Sequence, residues 1–164
     1  MSLKPVTVNG WLKDVNDNFD TIEPLVSGNA DGLGVLRVAR ATFDLGIEAN
    51  RAVGAHASEV VIPANAIIVG GFMEVNTAVT GETNATLAVS VLNANDIQTA
   101  AAVSGAPWST TGRKAIVPKA NTPESTSIKI AAAAKAITFT IATAALLTGK
   151  VTVYLYFVEG AATA

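Results

Sequence analysis

The chain has 164 residues, half of them hydrophobic but only 5% aromatic and 15% charged, so it has material for one domain with an alanine-, valine- and isoleucine-rich core plus a short appendage. Its net charge is −2, from 11 basic and 13 acidic residues scattered without a basic stripe, which argues against nucleic-acid binding. The absence of cysteine excludes disulfides, thiolate metal sites and thiol catalysis.

The start, Met1-Ser-Leu-Lys-Pro-Val6, has no apolar run of the kind that directs secretion. Ala136 to Leu147 is the longest apolar stretch, broken by threonines and too short to cross ~30 Å of hydrocarbon. The expectation is a soluble protein made in a cytoplasm.

Residues 1–34 read as an N-terminal arm. Leu12, Val15, Phe19, Ile22 and Val26 alternate spacings of three and four, which predicts a short amphipathic helix. Asn9 can cap its start, and Pro24 ends it near Ile22. About four turns is marginal for an isolated helix in water, so this seam, together with Trp11, calls for a partner surface in its own chain or in another copy. Ser27-Gly-Asn-Ala-Asp-Gly-Leu-Gly34 follows as a hinge rich in turn formers.

From residue 35 to about 160 the rhythm changes to two. Thr86–Val91, Ile137–Ile141 and Val151–Phe157 send alternate side chains to opposite faces of a strand. Candidate strands run Val35–Asp44, Ala52–His56, Glu59–Ile62, Ala66–Val75, Thr86–Leu92, Gln98–Val103, Lys114–Val117, Ser127–Ala131, Ala136–Ala142 and Val151–Val158. Turn formers separate them at Pro63–Asn65, Thr80–Asn84, Asn93–Asp96, Gly105–Pro107, Asn121–Pro123 and Thr148-Gly149. Eight to ten short strands at this spacing predict a mainly β domain, an antiparallel jelly-roll-like sandwich. Tetra-alanine Ala131–Ala134 reads as a strand continuation or a bend, and residues 161–164 as a frayed tail.

Chemistry is sparse. Asp14-Val-Asn16-Asp-Asn18 opens like a calcium loop, but Phe19 stands where the sharp turn needs glycine and Leu25 where the bidentate glutamate belongs. Gly28, Gly32 and Gly34 follow no strand and lead to no Lys-Ser or Lys-Thr, so they describe a hinge rather than a phosphate loop. His56 is the single histidine and lacks a G-x-S-x-G nucleophile or other metal ligands, so it reads as structural or interfacial. No spacing pairs Glu59, Glu74, Glu82 or Asp96 for glycoside hydrolysis. The reading is therefore non-enzymatic, with no cofactor and no metal.

The candidate contact residues are Trp11, Leu12, Val15, Phe19 and Ile22 of the arm, Arg37 and Arg40 towards an acidic partner, and Tyr154 and Tyr156 on one face of the last strand. Arg113 and Lys114 are further basic candidates. Trp108, in the turn-rich Ala106–Gly112, is either an exposed anchor for a sugar or protein, or a lid closing the end of the sandwich.

The order of segments carries a resemblance. Val38-Ala-Arg-Ala-Thr-Phe-Asp44 leads into Val53-Gly-Ala-His-Ala57. Val61–Val69, Ala85–Val91 and Asn95-Asp-Ile97 follow, closing with Leu147–Phe157. Residues 35–158 so read resemble the small β-sandwich virion proteins of tailed bacteriophages, the capsid decoration or cement proteins and head-fibre proteins. The resemblance implies a jelly roll, a homotrimer at a threefold axis of the shell, and binding to the major capsid protein without catalysis. It implies location on the virion surface, with no nucleic-acid or membrane partner. A receptor- or carbohydrate-binding fibre head using the Trp108 loop is the second expectation, and a jelly-roll hydrolase the third.

Overall fold

The computed structural model describes residues 35–119 and 126–159. They form nine strands: β1 (Leu36–Asp44), β2 (Gly54–Ile62), β3 (Ile67–Gly81), β4 (Thr86–Ser90), β5 (Gln98–Ala102), β6 (Gly112–Ile116), β7 (Ile128–Lys129), β8 (Lys135–Ala142) and β9 (Leu146–Val158). A single 3-10 turn, Glu48–Asn50, links the first two. Every strand pairing is antiparallel. One sheet has the order β1-β9-β3-β6, with β7 also on β3, and the other the order β2-β8-β4-β5. The predicted arm helix over residues 9–26 lies outside the described residues, as does the Asn121–Pro123 turn.

Alternation builds the sandwich. In β9, Val151, Val153, Leu155 and Phe157 point inward, as do Ile137, Phe139 and Ile141 of β8 and Ala39, Ala41 and Phe43 of β1. These side chains join one core that spans both sheets. Phe43 of the first sheet lies flat on Phe139 of the second, with centroids 4.6 Å apart and planes 5° from parallel. β-Branched and aromatic residues fill this two-sided core because their stiff side chains suit a pleated surface.

Two stretches differ from the sequence expectation, and the tetra-alanine takes the second of its two readings. Thr148-Gly149, expected as a turn, lies inside β9, which begins at Leu146 and pairs with an extended β3 through Gly81↔Leu146, Thr80↔Thr148 and Thr77↔Lys150. Gly149 holds φ +136, and a Cβ there would stand 2.8 Å from Val79 Cα. The glycine thus lets two long, twisted strands approach rather than reverse. Ala52–His56 and Glu59–Ile62 are parts of a single β2, whose pairing with β8 shifts register between Ala57 and Val61. Ala131–Ala134 forms a bend.

The Asn93–Asp96 turn is held from inside. Asp96 is 3% exposed. Its Oδ1 accepts the Val91 N–H at 2.9 Å, and its Oδ2 accepts those of Leu92 and Asn93 at 2.9 and 2.8 Å. Three backbone donors satisfy a charge that burial would otherwise penalise. Asp96→Asn turns an amide NH2 towards at least one of those donors. It is expected to cost about 1–3 kcal/mol in urea unfolding, and an unchanged midpoint would refute that role.

Candidate assembly surface

The outward face of the five-stranded sheet differs in chemistry from the rest of the domain. Register places Arg40 of β1 opposite Tyr154 of β9, Tyr154 opposite Phe72 of β3, and Phe72 opposite Ala115 of β6. Phe72 and Tyr154 stack at 4.5 Å with planes 14° apart. The Arg40 guanidinium lies 5.9 Å from the Tyr154 centroid and its Nε donates to the tyrosine oxygen at 3.3 Å. On the far side the Arg113 guanidinium lies 5.9 Å from the Phe72 centroid. Strand order therefore yields a four-layer stack across the sheet, arginine, tyrosine, phenylalanine, arginine, in which each ring has a cation on its outer face.

Tyr156 leans towards Phe72, with centroids 6.2 Å apart, and sits opposite Gly70. Below the stack Thr42 and Thr152 approach hydroxyl to hydroxyl at 3.2 Å, and Thr152 donates to Asn76 Oδ1 at 2.9 Å. Val38 and Val117 form an exposed apolar rim at 55% and 56% exposure. The outward positions of the other sheet carry mostly small residues, Ala55, Ala57, Ala88, Ser90, Thr138 and Thr140, with Glu59 and Val61 exposed near the end of β2.

The cations of the five-stranded sheet are not equally engaged. Arg37 pairs with Glu159 at 3.1 Å and Lys150 with Asp44 at 2.8 Å. Arg113 reaches Glu74 only at 3.9 Å, with its side chain 76% exposed. Among the described residues no carboxylate lies within ion-pair distance of Arg40. Asp44, at the end of this row, is held below the ordinary value of 3.8, first by the Lys150 ammonium and then by the Gly46 N–H at 2.8 Å. A depressed folded-state value means a contribution that is present above the unfolded value and lost as pH falls through the folded one. The stability difference between wild type and Asp44→Asn is therefore expected to narrow between pH 6 and pH 2.5, in urea midpoints. A gap that stays constant would show that Lys150 and Gly46 do not act through the charge.

The predicted contact residues separate into three groups. Arg40, Tyr154 and Tyr156 come together on this face, with Arg37 at the edge strand. Trp11, Leu12, Val15, Phe19 and Ile22 lie outside the described residues. Trp108 is 0% exposed and belongs to the core, so of its two readings the closed end of the sandwich is the one realised, and the exposed anchor is corrected. The Ala102–Ser109 chain folds over through Trp108 N–H to Gly105 O and Val79 N–H to Trp108 O, which carries the indole inward. An open depression of about 540 Å3 lies beside it, lined by Thr80, Glu82, Asn84, Ser104 and Ser109, among others, and by no aromatic ring. His56 packs 5.5 Å from Phe43 and its Nε2 lies 2.8 Å from Ala52 O.

Phe72 is the residue of this face that escaped the sequence reading. Its signal was there: in Gly71-Phe-Met-Glu-Val75, inward Met73 and Val75 force Phe72 and Glu74 outward. No matching period marks its juxtaposition with Tyr154, eighty-two positions away in the chain by their numbers.

No family model and no curated protein matches the chain. Solved structures do. The fold is shared with chains of bacteriophage capsids. A chain of the cyanophage Pam1 capsid asymmetric unit superposes with a TM-score of 0.55 at 18% identity, covering 78% of this chain and 87% of that one. A chain of the Ralstonia phage GP4 capsid gives 0.54 at 17% identity, covering 79% and 88%. One from the acidic stable capsid of Helicobacter pylori bacteriophage KHP30 gives 0.53 at 12% identity, covering 79% and 91%. At such identities the likeness is one of fold.

Proposed function

We propose that this chain is a non-enzymatic structural protein of a bacteriophage virion that decorates or cements the capsid, binding the major capsid protein and copies of itself as a homotrimer. The observation that carries this reading is the fold likeness, over 78–79% of this chain, to chains of three phage capsid structures. The strand orders β1-β9-β3-β6 and β2-β8-β4-β5 are read as a jelly roll, in which two sheets enclose one core and the scaffold is stiff. A cementing protein needs such stiffness, because it transmits load between neighbours through many shared contacts. It also needs a chemically distinctive face, and the cation–aromatic face supplies one. Residues 1–34 would serve as the arm that fixes each copy to the shell, its ordering entropy offset at the moment of binding.

Mass spectrometry and electron microscopy of purified particles test the reading. The protein is expected at stoichiometric amounts on the outside of the shell, with a solution mass of three chains. Absence from purified particles overturns it. Removal of residues 1–26 is expected to lower retention on particles, and undiminished occupancy would refute the arm while leaving the structural role standing. The fibre-head alternative loses its binding residue with the burial of Trp108.

A further inference from the structure

Each ring of the central stack has both faces occupied. Tyr154 lies between Arg40 and Phe72, and Phe72 lies between Tyr154 and Arg113. A sugar or a nucleobase binds an aromatic side chain by lying on an open ring face, and on Tyr154 and Phe72 an arginine side chain already flanks that face. What the stack turns outward is ring edge, which carries the positive end of the aromatic quadrupole, and guanidinium. Edge and cation together select an anion.

The geometry points to an acidic polypeptide segment of a neighbouring chain as the occupant of this face, its carboxylates engaging Arg40 and Arg113 and its apolar side chains covering Tyr156, Val38 and Val117. This rests on the assembly reading above for the existence of a neighbour, and adds the face used and the chemistry of the partner. Charge complementarity makes the choice. Arg37 and Lys150 are already neutralised by Glu159 and Asp44, whereas among the described residues Arg40, Arg113 and Lys129 of this sheet have no carboxylate nearer than 3.9 Å, and of these the two arginines flank the stack and suit bidentate carboxylate capture. They lie on β1 and β6, three strand spacings across and two residues along, or about 16 Å apart. An extended partner spans that with acids about five residues apart, and a helical one with acids about eleven apart. A nucleic-acid backbone fits poorly, since its closely spaced phosphates would run over Glu74, which stands opposite Arg113 between the two cationic ends. The opposite sheet, with alanine, serine, threonine and the acid Glu59 outward, offers no arginine there.

The test uses the full-length protein in purified particles. Val38, exposed beside the stack, is replaced by the photoreactive p-benzoylphenylalanine, and the cross-linked peptide is identified by mass spectrometry. A peptide carrying two acids at either spacing is the expected result. In parallel, Arg40→Glu with Arg113→Glu is expected to lower occupancy on particles by about tenfold or more, while Arg40→Lys with Arg113→Lys keeps most of it. Arg113→Glu sets a second carboxylate opposite Glu74, so the urea midpoint of the reversal variant is measured too, and a variant still fully folded under the particle-binding conditions separates lost docking from lost folding. A cross-link to nucleic acid, to glycan or to a peptide without acids, no cross-link at all, or full occupancy of the reversal variant overturns the proposal while the wild type remains on the particle. Wild-type protein missing from particles overturns the virion reading instead, and this proposal with it.

Discussion

Phe139→Ala is expected to remove about 3–5 kcal/mol of unfolding free energy. Phe139 is completely buried in the middle of β8, flanked in its sheet by His56 and Val89. It is also the point at which the second sheet meets the first, through its parallel stack on Phe43 at 4.6 Å. Truncation loses the transfer free energy of the ring and leaves a cavity on both sides of the interface. Two hydrogen-bonded sheets cannot collapse to fill that cavity without breaking ladder bonds, so the cost falls in the upper range for such changes. Aromatics are only 5% of this chain, and the neighbouring alanines Ala39 and Ala41 have no reach with which to compensate. Urea unfolding of wild type, Phe139→Leu and Phe139→Ala provides the measurement, with the leucine variant falling between the other two. A loss below about 1 kcal/mol for the alanine variant would mean that the sheets close up and that the stack is not what sets their separation.

Gly71→Ala is expected to cost about 3 kcal/mol or more, although it adds a single methyl group. Gly71 lies in the interior of β3, opposite Leu155 of β9 on one side and Ile116 of β6 on the other. A Cβ there would overlap the backbone carbonyl oxygen of Tyr154 and stand 3.2 Å from Leu155 Cα. Backbone atoms held in a ladder on both sides cannot step aside as a flexible side chain would, so β3 and β9 must separate locally. Gly70→Ala is the matched control. At that position the nearest atom is Tyr156 Cδ2, at an ordinary 4.0 Å, and the change should cost under about 1 kcal/mol. The two variants differ by one residue in position and by one methyl in kind, so equal thermal midpoints would show that the close approach of β3 to β9 carries no strain. Because Tyr154 belongs to the arginine–aromatic stack, Gly71→Ala should also weaken incorporation into particles.

Alternation of polar and apolar residues determined that most of the described chain from residue 35 onward is strand, which of those side chains face inward, and that Tyr154 and Tyr156 share an outer face. These are properties of a period of two, and a strand's neighbours do not alter its period. The turn at Asn93–Asp96 was legible for a similar reason, since short polar side chains satisfy backbone donors within a few residues. Where a local signal had two structural uses, the tertiary structure chose between them. Thr148-Gly149 has the composition of a turn, but the long β3 beside it made the glycine a point of close strand contact. Trp108 sits among turn formers, and the core's demand for volume drew its indole inside. The aromatic face shows the same division most plainly: parity along β1, β3 and β9 sends Arg40, Phe72 and Tyr154 outward, but only the order β1-β9-β3-β6 puts them in a row with Arg113. Strand order is set by how a whole chain closes its two sheets around one core, and no window of sequence contains that information.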